Sequence, residues 1–327
     1  MKYRRLGRSG LRVSSVSLGT MTFGGTLDDR ASFLLLDRAL EGGINFLDLS
    51  EMADGLAKNV RVTYGESEAL LGRWLKRRRN RDSLIITTKV CGPNDAVGNL
   101  VPHIRSGNTA LDRFHIERAI EGSLKRLGTD YVDLYQLHSP KSEPIEETMG
   151  QLVRLRDAGK IRYIGISNFS AEQTREALEF GPIHSSQPRY NMLYRQAEKS
   201  VLPFCLESGI GVMPHSVLAK GLLTGRYRPA HEFPEDDERR GRIGFYGDSL
   251  QATFEVTERL KAWAEDHGRD LVQLAIAWTL AHPSVTSPIV GAKSPEQARH
   301  NAKAADWRLT EADLNEIDAI QGDVRIV

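Results

Sequence analysis

The chain has 327 residues, 27% of them charged and 40% hydrophobic, with 44 Lys and Arg against 43 Asp and Glu. A net charge of +1 gives no electrostatic case for nucleic acid as a partner, and no apolar run approaches the roughly 18 residues of a membrane span. Cys91 and Cys205 lack metal or redox spacing, and the opening MKYRRLGRSGL carries charge but no apolar core, so a cytoplasmic, reducing compartment is expected.

In chain order, KYRRLGRSGLRVS reads as a β-hairpin with Ser9-Gly10 at its turn, a lid over the floor of a barrel. Short apolar segments then alternate with longer stretches of 3.6-residue periodicity. Strands are expected at 16–18, 45–49, 84–88, 132–136, 163–166, 185–187, 211–214 and 286–290. Between the third and fourth, Ile116, Ala119, Ile120 and Leu124 share one helical face. After the fourth, Ile145, Met149, Leu152 and Leu155 do the same, with Pro144 at the start and Gly159 past the end. LVQLAIAWTLAH adds a helix over 271–282, before the eighth strand. Eight strand–helix units without a composition shift argue for an α/β fold: a (β/α)8 TIM barrel with an N-terminal β-hairpin and additional C-terminal helices, one domain over 1–327. Three long connections, 53–65, 91–109 and 226–250, leave the C-terminal ends of strands and should ring one mouth.

Polar residues gather at those strand ends. Asp48 closes GINFLD, Lys89 closes LIITTK and His138 closes YVDLYQLH, while Ser167, Asn168, Gln187 and His215 end later strands. Each alone reads as an ordinary ion pair or hydrogen bond; together they read as a catalytic mouth. A buried lysine requires a partner, and Asp48 supplies one. A lysine cation beside a phenol lowers the phenol's pKa from about 10, making a proton donor. A histidine can hydrogen-bond a carbonyl oxygen and stabilise developing alkoxide charge. These are the parts of carbonyl reduction. Metal-ligand spacing, a G-x-S-x-G elbow, a Walker A sequence and a G-x-G-x-x-G fingerprint do not occur. The eighth unit offers another anion site: SPIVGAKSPEQARHN passes from strand through a turn at Gly291 into a helix. Ser294 is its N-cap, Pro295 its first residue and Gln297 the closing member of a capping box, with Lys293 alongside.

The basic run LKRRRNRD reads as a solvated face at a helix end. The four tryptophans, 74, 263, 278 and 307, read as packing residues, and Cys91 as a small residue bordering the mouth.

GRSGLRVSSVSLGTMTFGG, GINFLD, YGESEALLGRWL, SLKRLGTDYVDLYQLH, AGKIRYIGISNFS, SSQPRYNMLYR, GLLTGRY and PIVGAKSPEQARHN carry a resemblance over nearly the whole length. The chain resembles the aldo-keto reductases, in particular their bacterial and potassium-channel-β-like branch. The resemblance implies NADP(H) bound in extended form, a small-molecule carbonyl substrate, and Asp48, Lys89 and His138 as three of four catalytic residues. It implies Ser167, Asn168 and Gln187 on the nicotinamide carboxamide, and Gly19, Thr20 and Met21 near its ribose. Ser216, Leu218 and Gly221 would line the pyrophosphate; Gly291, Lys293, Gln297 and Asn301 would hold the adenosine end, with Lys293 on the 2′-phosphate.

The chain departs from the family pattern in places. His215 stands where the family has an aromatic ring that stacks on the nicotinamide, Val217 replaces a proline, and His300 replaces a glutamate near the adenine. The fourth catalytic residue, a tyrosine five positions after the aspartate, is here Ala53. Three arrangements stay open: Tyr64, in a family-like Tyr-Gly context, is the relocated donor; protons arrive through His138, water or the substrate; or Ala53 is an engineered or natural loss of the tyrosine, leaving an NADPH-binding barrel with weak turnover that acts as a sensor or partner protein. A redox-assisted isomerase or dehydratase, and a lyase using Lys89 as a Schiff base, are further possibilities. Substrate identity and oligomeric state are not legible.

Overall fold

The hairpin comes first. β1 (Tyr3–Arg5) pairs antiparallel with β2 (Arg12–Ser14). In this computed structural model, which describes residues 1–51, 65–91, 111–140, 144–228, 231–233, 235, 239–240, 247–322 and 324, the turn is longer than the expected two residues. It runs over 6–11, closed by Leu6 N–H donating to the Leu11 carbonyl at 3.0 Å, and Ser9 N–H to the Leu6 carbonyl at 3.0 Å. The reason is burial. Leu6 and Leu11 pack with Val13 on Phe46, Leu134, Met213 and Ile289, and a two-residue turn could not send both leucines inward. That cluster seals the barrel floor, so the hairpin is the lid that its position in the sequence suggested.

The barrel strands are β3 (Ser17–Gly19), β4 (Phe46–Asp48), β5 (Ile85–Val90), β6 (Val132–Leu137), β7 (Ile161–Ser167), β8 (Ser185–Gln187), β9 (Gly211–Val212) and β10 (Ile289–Gly291). All neighbours are parallel, in the order β10-β3-β4-β5-β6-β7-β8-β9. The ring closes between β9 and the segment before β10. There Val212 bridges Val285, and Thr286 N–H donates to the Val212 carbonyl at 2.7 Å. The strand expected over 286–290 therefore does two jobs: its first residue completes the closure and its last ones form β10.

Strand alternation separates two cores. In β6, Leu134 joins the floor, while Tyr135 and Leu137, on the opposite face, belong to the shell between sheet and helices. That shell is completed by α1 (Asp29–Glu41), α2 (Glu66–Arg78), α3 (Arg113–Leu127), α4 (Ile145–Asp157), α5 (Ala171–Leu178), α6 (Val201–Ser208), α7 (Gly247–Asp266), α8 (Leu271–Ala281), α9 (Pro295–Lys303) and α10 (Glu311–Gln321). Ile116, Ala119, Ile120 and Leu124 are all buried on α3, as their spacing predicted. The added helix is α8, capped by Asp270. Trp74, Trp263 and Trp278 are buried; Trp307 is half-buried and stacks on Trp263. Part of the basic run is structural: Arg78 pairs with Asp37, and Arg81 with Asp133 at 2.7 Å. Among the described residues no helix is long and apolar enough to cross a membrane.

Candidate active site

Parallel strands all end on one side of the barrel, and each polar strand-end residue reaches that side by its place in the register. Asp48 is the last residue of β4, Ser167 of β7 and Gln187 of β8; Lys89 is one short of the end of β5; His138 and Asn168 follow β6 and β7 directly. Ala53 and Tyr64 lie outside the described residues, as do 92–109 and most of 229–246.

Lys89 and Asp48 form the centre. The ammonium donates to Asp48 Oδ1 and Oδ2 and to the Leu49 carbonyl, each at 2.8 Å. Lys89 is 4% exposed and Asp48 8%, so this is a buried ion pair. Three acceptors match the three donors of an ammonium, which is the condition for keeping a charge in such a place. Gln187 Nε2 donates to Asp48 Oδ1 at 3.0 Å, and Thr20 Oγ1 to the Asp48 carbonyl at 3.0 Å. Both residues were expected to face a cofactor; both also hold the aspartate.

His138 stands beside this pair on the next strand. Its carbonyl accepts from Asn168 Nδ2 at 3.1 Å. Asn168 adopts φ +61°, a left-handed conformation that asparagine tolerates better than most residues. Its Oδ1 accepts from His215 Nε2 at 2.9 Å, and His215 Nδ1 meets Ser216 Oγ at 2.9 Å. Both ring nitrogens of His215 are thus engaged, which fixes the plane of the ring. Ser167 Oγ donates to the Gln187 carbonyl at 3.0 Å.

Two further groups complete the rim. Ser216, Ala219, Lys220 and Gly221 all have positive φ, from +47° to +101°. Within this segment Ala219 N–H donates to the Ser216 carbonyl and Gly221 N–H to the Leu218 carbonyl, each at 2.8 Å. Leu218, half-buried, begins the tight turn that contains the last three of these residues. On the other side, Gly291 pairs with Gly19, which pairs with Asp48. Gly291, Lys293 and Gln297 are exposed, and the buried Asn301 donates to the Gly291 carbonyl at 3.2 Å. Met21 is 46% exposed on the same rim. Ser294 caps α9 by accepting from Gln297 N–H at 3.3 Å. The expected capping box is modified: the Gln297 carboxamide accepts from Lys293 N–H at 2.8 Å instead of from Ser294. An extended Ser294 (φ −150°, ψ 160°) brings the preceding amide within its reach. The positive end of the α9 dipole and the exposed Lys293 ammonium beside it suit an anion such as a phosphate.

Sequence reasoning missed the groups behind His138. Cys91 is no mere packing residue: its Sγ lies 2.9 Å from His138 Nδ1. Glu51 and Glu68 are fully buried as well. Glu51 accepts from Cys91 N–H at 2.7 Å; Glu68 accepts from Thr88 Oγ1 and from Arg126 Nε at 2.7 Å. Burial pushes the Glu68 carboxyl up from its ordinary range, with Arg126 opposing. A signal was available. Ser50 and Cys91 each follow by two positions a residue already assigned to the mouth, Asp48 and Lys89, just past the ends of neighbouring strands.

A model of the aldo/keto reductase family matches residues 15–321. The chain is 34% identical over 326 residues to the aldo-keto reductase YhdN of Bacillus subtilis, covering 98% of this chain and 93% of the other. It is 35% identical over 342 residues to a probable voltage-gated potassium channel subunit beta of Oryza sativa, covering 98% and 96%. The solved glycerol dehydrogenase AKR11B4 of Gluconobacter oxydans superposes with a TM-score of 0.85 at 27% identity, covering 98% of this chain and 94% of that one.

Proposed function

The chain belongs to the aldo/keto reductase family, whose members are oxidoreductases that use nicotinamide cofactors, and from that premise we propose that it reduces an aldehyde or ketone to an alcohol with NADPH. The observation that carries the reading is the buried Lys89–Asp48 pair, held by Gln187, one strand from His138.

The cofactor, when bound, supplies a hydride to the carbonyl carbon. The remaining work falls to the chain. His138 donates a hydrogen bond to the carbonyl oxygen and steadies the charge that grows there. The Lys89 ammonium, fixed by three acceptors, provides a positive field at the proton donor. Asn168, Gln187 and Ser167 orient the carboxamide; Gly19, Thr20 and Met21 border the ribose; the turn through Leu218 and Gly221 takes the pyrophosphate, with the His215 ring beside the nicotinamide. Lys293 selects the 2′-phosphate, and hence NADP(H) over NAD(H).

Tyr64 is the proposed proton donor in place of Ala53. The support is the backbone on either side of the long loop. Gly65, the next residue, donates its N–H to the Glu51 carbonyl at 2.7 Å, three residues beyond Asp48. Ser67 Oγ also reaches the Ser50 carbonyl at 3.5 Å. The loop therefore returns to its own starting point, and extra length in it costs little.

Single-turnover oxidation of bound NADPH by 4-nitrobenzaldehyde tests this. Tyr64→Phe should slow it by about 10² or more. A slow parent chain rescued by Ala53→Tyr would overturn Tyr64 as donor and favour a cofactor-binding protein with impaired catalysis.

A further inference from the structure

His138 has neighbours that hydride transfer as outlined does not use. Its Nδ1 lies 2.9 Å from Cys91 Sγ and 3.3 Å from Ser50 Oγ, and the thiol and hydroxyl are 3.9 Å apart. Cys91 cannot drift. Its N–H is bound by Glu51 at 2.7 Å, and its carbonyl lies 2.8 Å from Nε2 of the buried His115. The other side of His138 is tied as well, through its carbonyl, to Asn168.

We propose that Cys91 is a positioning residue for His138: its thiol donates to Nδ1, which puts the ring proton on Nε2 and directs that N–H at the substrate oxygen. The proposal rests on the reading of His138 as the group that binds that oxygen.

A neutral imidazole carries one N–H, and the nitrogen that accepts a hydrogen bond forces the proton onto the other. A divalent sulfur is a poor acceptor, whereas an unprotonated ring nitrogen is a good one, so the thiol is the donor of this pair. The Ser50 hydroxyl can turn either way and does not decide the matter. The wrong tautomer would present a lone pair to the carbonyl oxygen, and the alkoxide would lose its donor.

Long-range ¹H–¹⁵N NMR of the full chain labelled with [¹⁵N]histidine, with His138 assigned from a His138→Asn sample, reads the tautomer without any reference to turnover. The parent chain should show the proton on Nε2. Cys91→Ala should give a mixed tautomer and lower kcat by about tenfold while leaving KM little changed. Cys91→Ser, which keeps a donor at that point, should recover the Nε2–H form and most of kcat. A proton on Nδ1 in the parent overturns the proposal before any variant is made. So does a Cys91→Ala protein with unchanged tautomer and kcat. If the tautomers follow this pattern but no variant oxidises NADPH with any carbonyl, the positioning geometry holds and the reductase reading is what fails.

Discussion

Lys89 shows how little freedom a buried charge has. With three acceptors at 2.8 Å the ammonium is satisfied, and no neutral side chain of similar length could take its place. Lys89→Met would leave Asp48 buried beside a single amide donor, Gln187. Removing one partner of such a pair typically costs about 3–5 kcal/mol, and loss of the field at the proton donor should lower kcat by on the order of 10². A thermal melt beside stopped-flow NADPH decay separates the two effects; normal turnover in a folded Lys89→Met protein would remove the pair from the mechanism. Lys293 should behave differently, because it is exposed and its proposed partner is a ligand. A charge-assisted hydrogen bond contributes about 1.5–3 kcal/mol, so Lys293→Met should raise KM for NADPH by about tenfold or more and leave KM for NADH unchanged. Equal effects on both cofactors would argue against contact with the 2′-phosphate.

Among the elements, the N-terminal hairpin depends on one backbone position. Gly7 has φ +51°, and a Cβ there would come within 2.4 Å of Gly211 N and 2.7 Å of the Gly209 carbonyl. Those are backbone atoms at the start of β9, so they cannot turn aside as a side chain can. Gly7→Ala should therefore destabilise the fold by about 2–4 kcal/mol, seen as a lower urea midpoint, while kcat of the folded fraction stays unchanged because the hairpin covers the end opposite the mouth. A variant as stable as its parent would mean the hairpin is not fixed to the floor. Helices were the more legible elements. The stripe on α3 and the Ser294 cap follow from local rules that act within four residues. The hairpin turn did not, because Ser9-Gly10 is a good local turn overruled by two leucines that the barrel floor buries.

For the molecule as a whole, closure of the ring is what stability must protect, and two histidines make it sensitive to acid. His184 precedes β8 and packs edge-on against Tyr163; His282 follows α8, next to the closing segment, and packs edge-on against Tyr190. Burial holds both imidazoles below the ordinary value of about 6.5. A base whose folded pKa is depressed favours the fold above its unfolded pKa, and that contribution is lost as pH falls through the folded value. The urea midpoint should thus decline from pH 7.5 to pH 5.5, and less steeply in a His184→Gln, His282→Gln double variant. Identical slopes would place the acid sensitivity elsewhere.

Composition and period-two and period-3.6 patterning were sufficient for the barrel class, the strand ends and the polar residues placed on them, because each reports burial along a single element. Asp48, Lys89 and His138 were legible for that reason. Contacts between elements were not. That Cys91 would meet His138, 47 residues away, and that Gln187 would brace Asp48 across 139 residues were decided by the closed ring and the angle at which each chain segment enters it. Local sequence determines which face a side chain takes; only the assembled barrel determines what stands opposite that face.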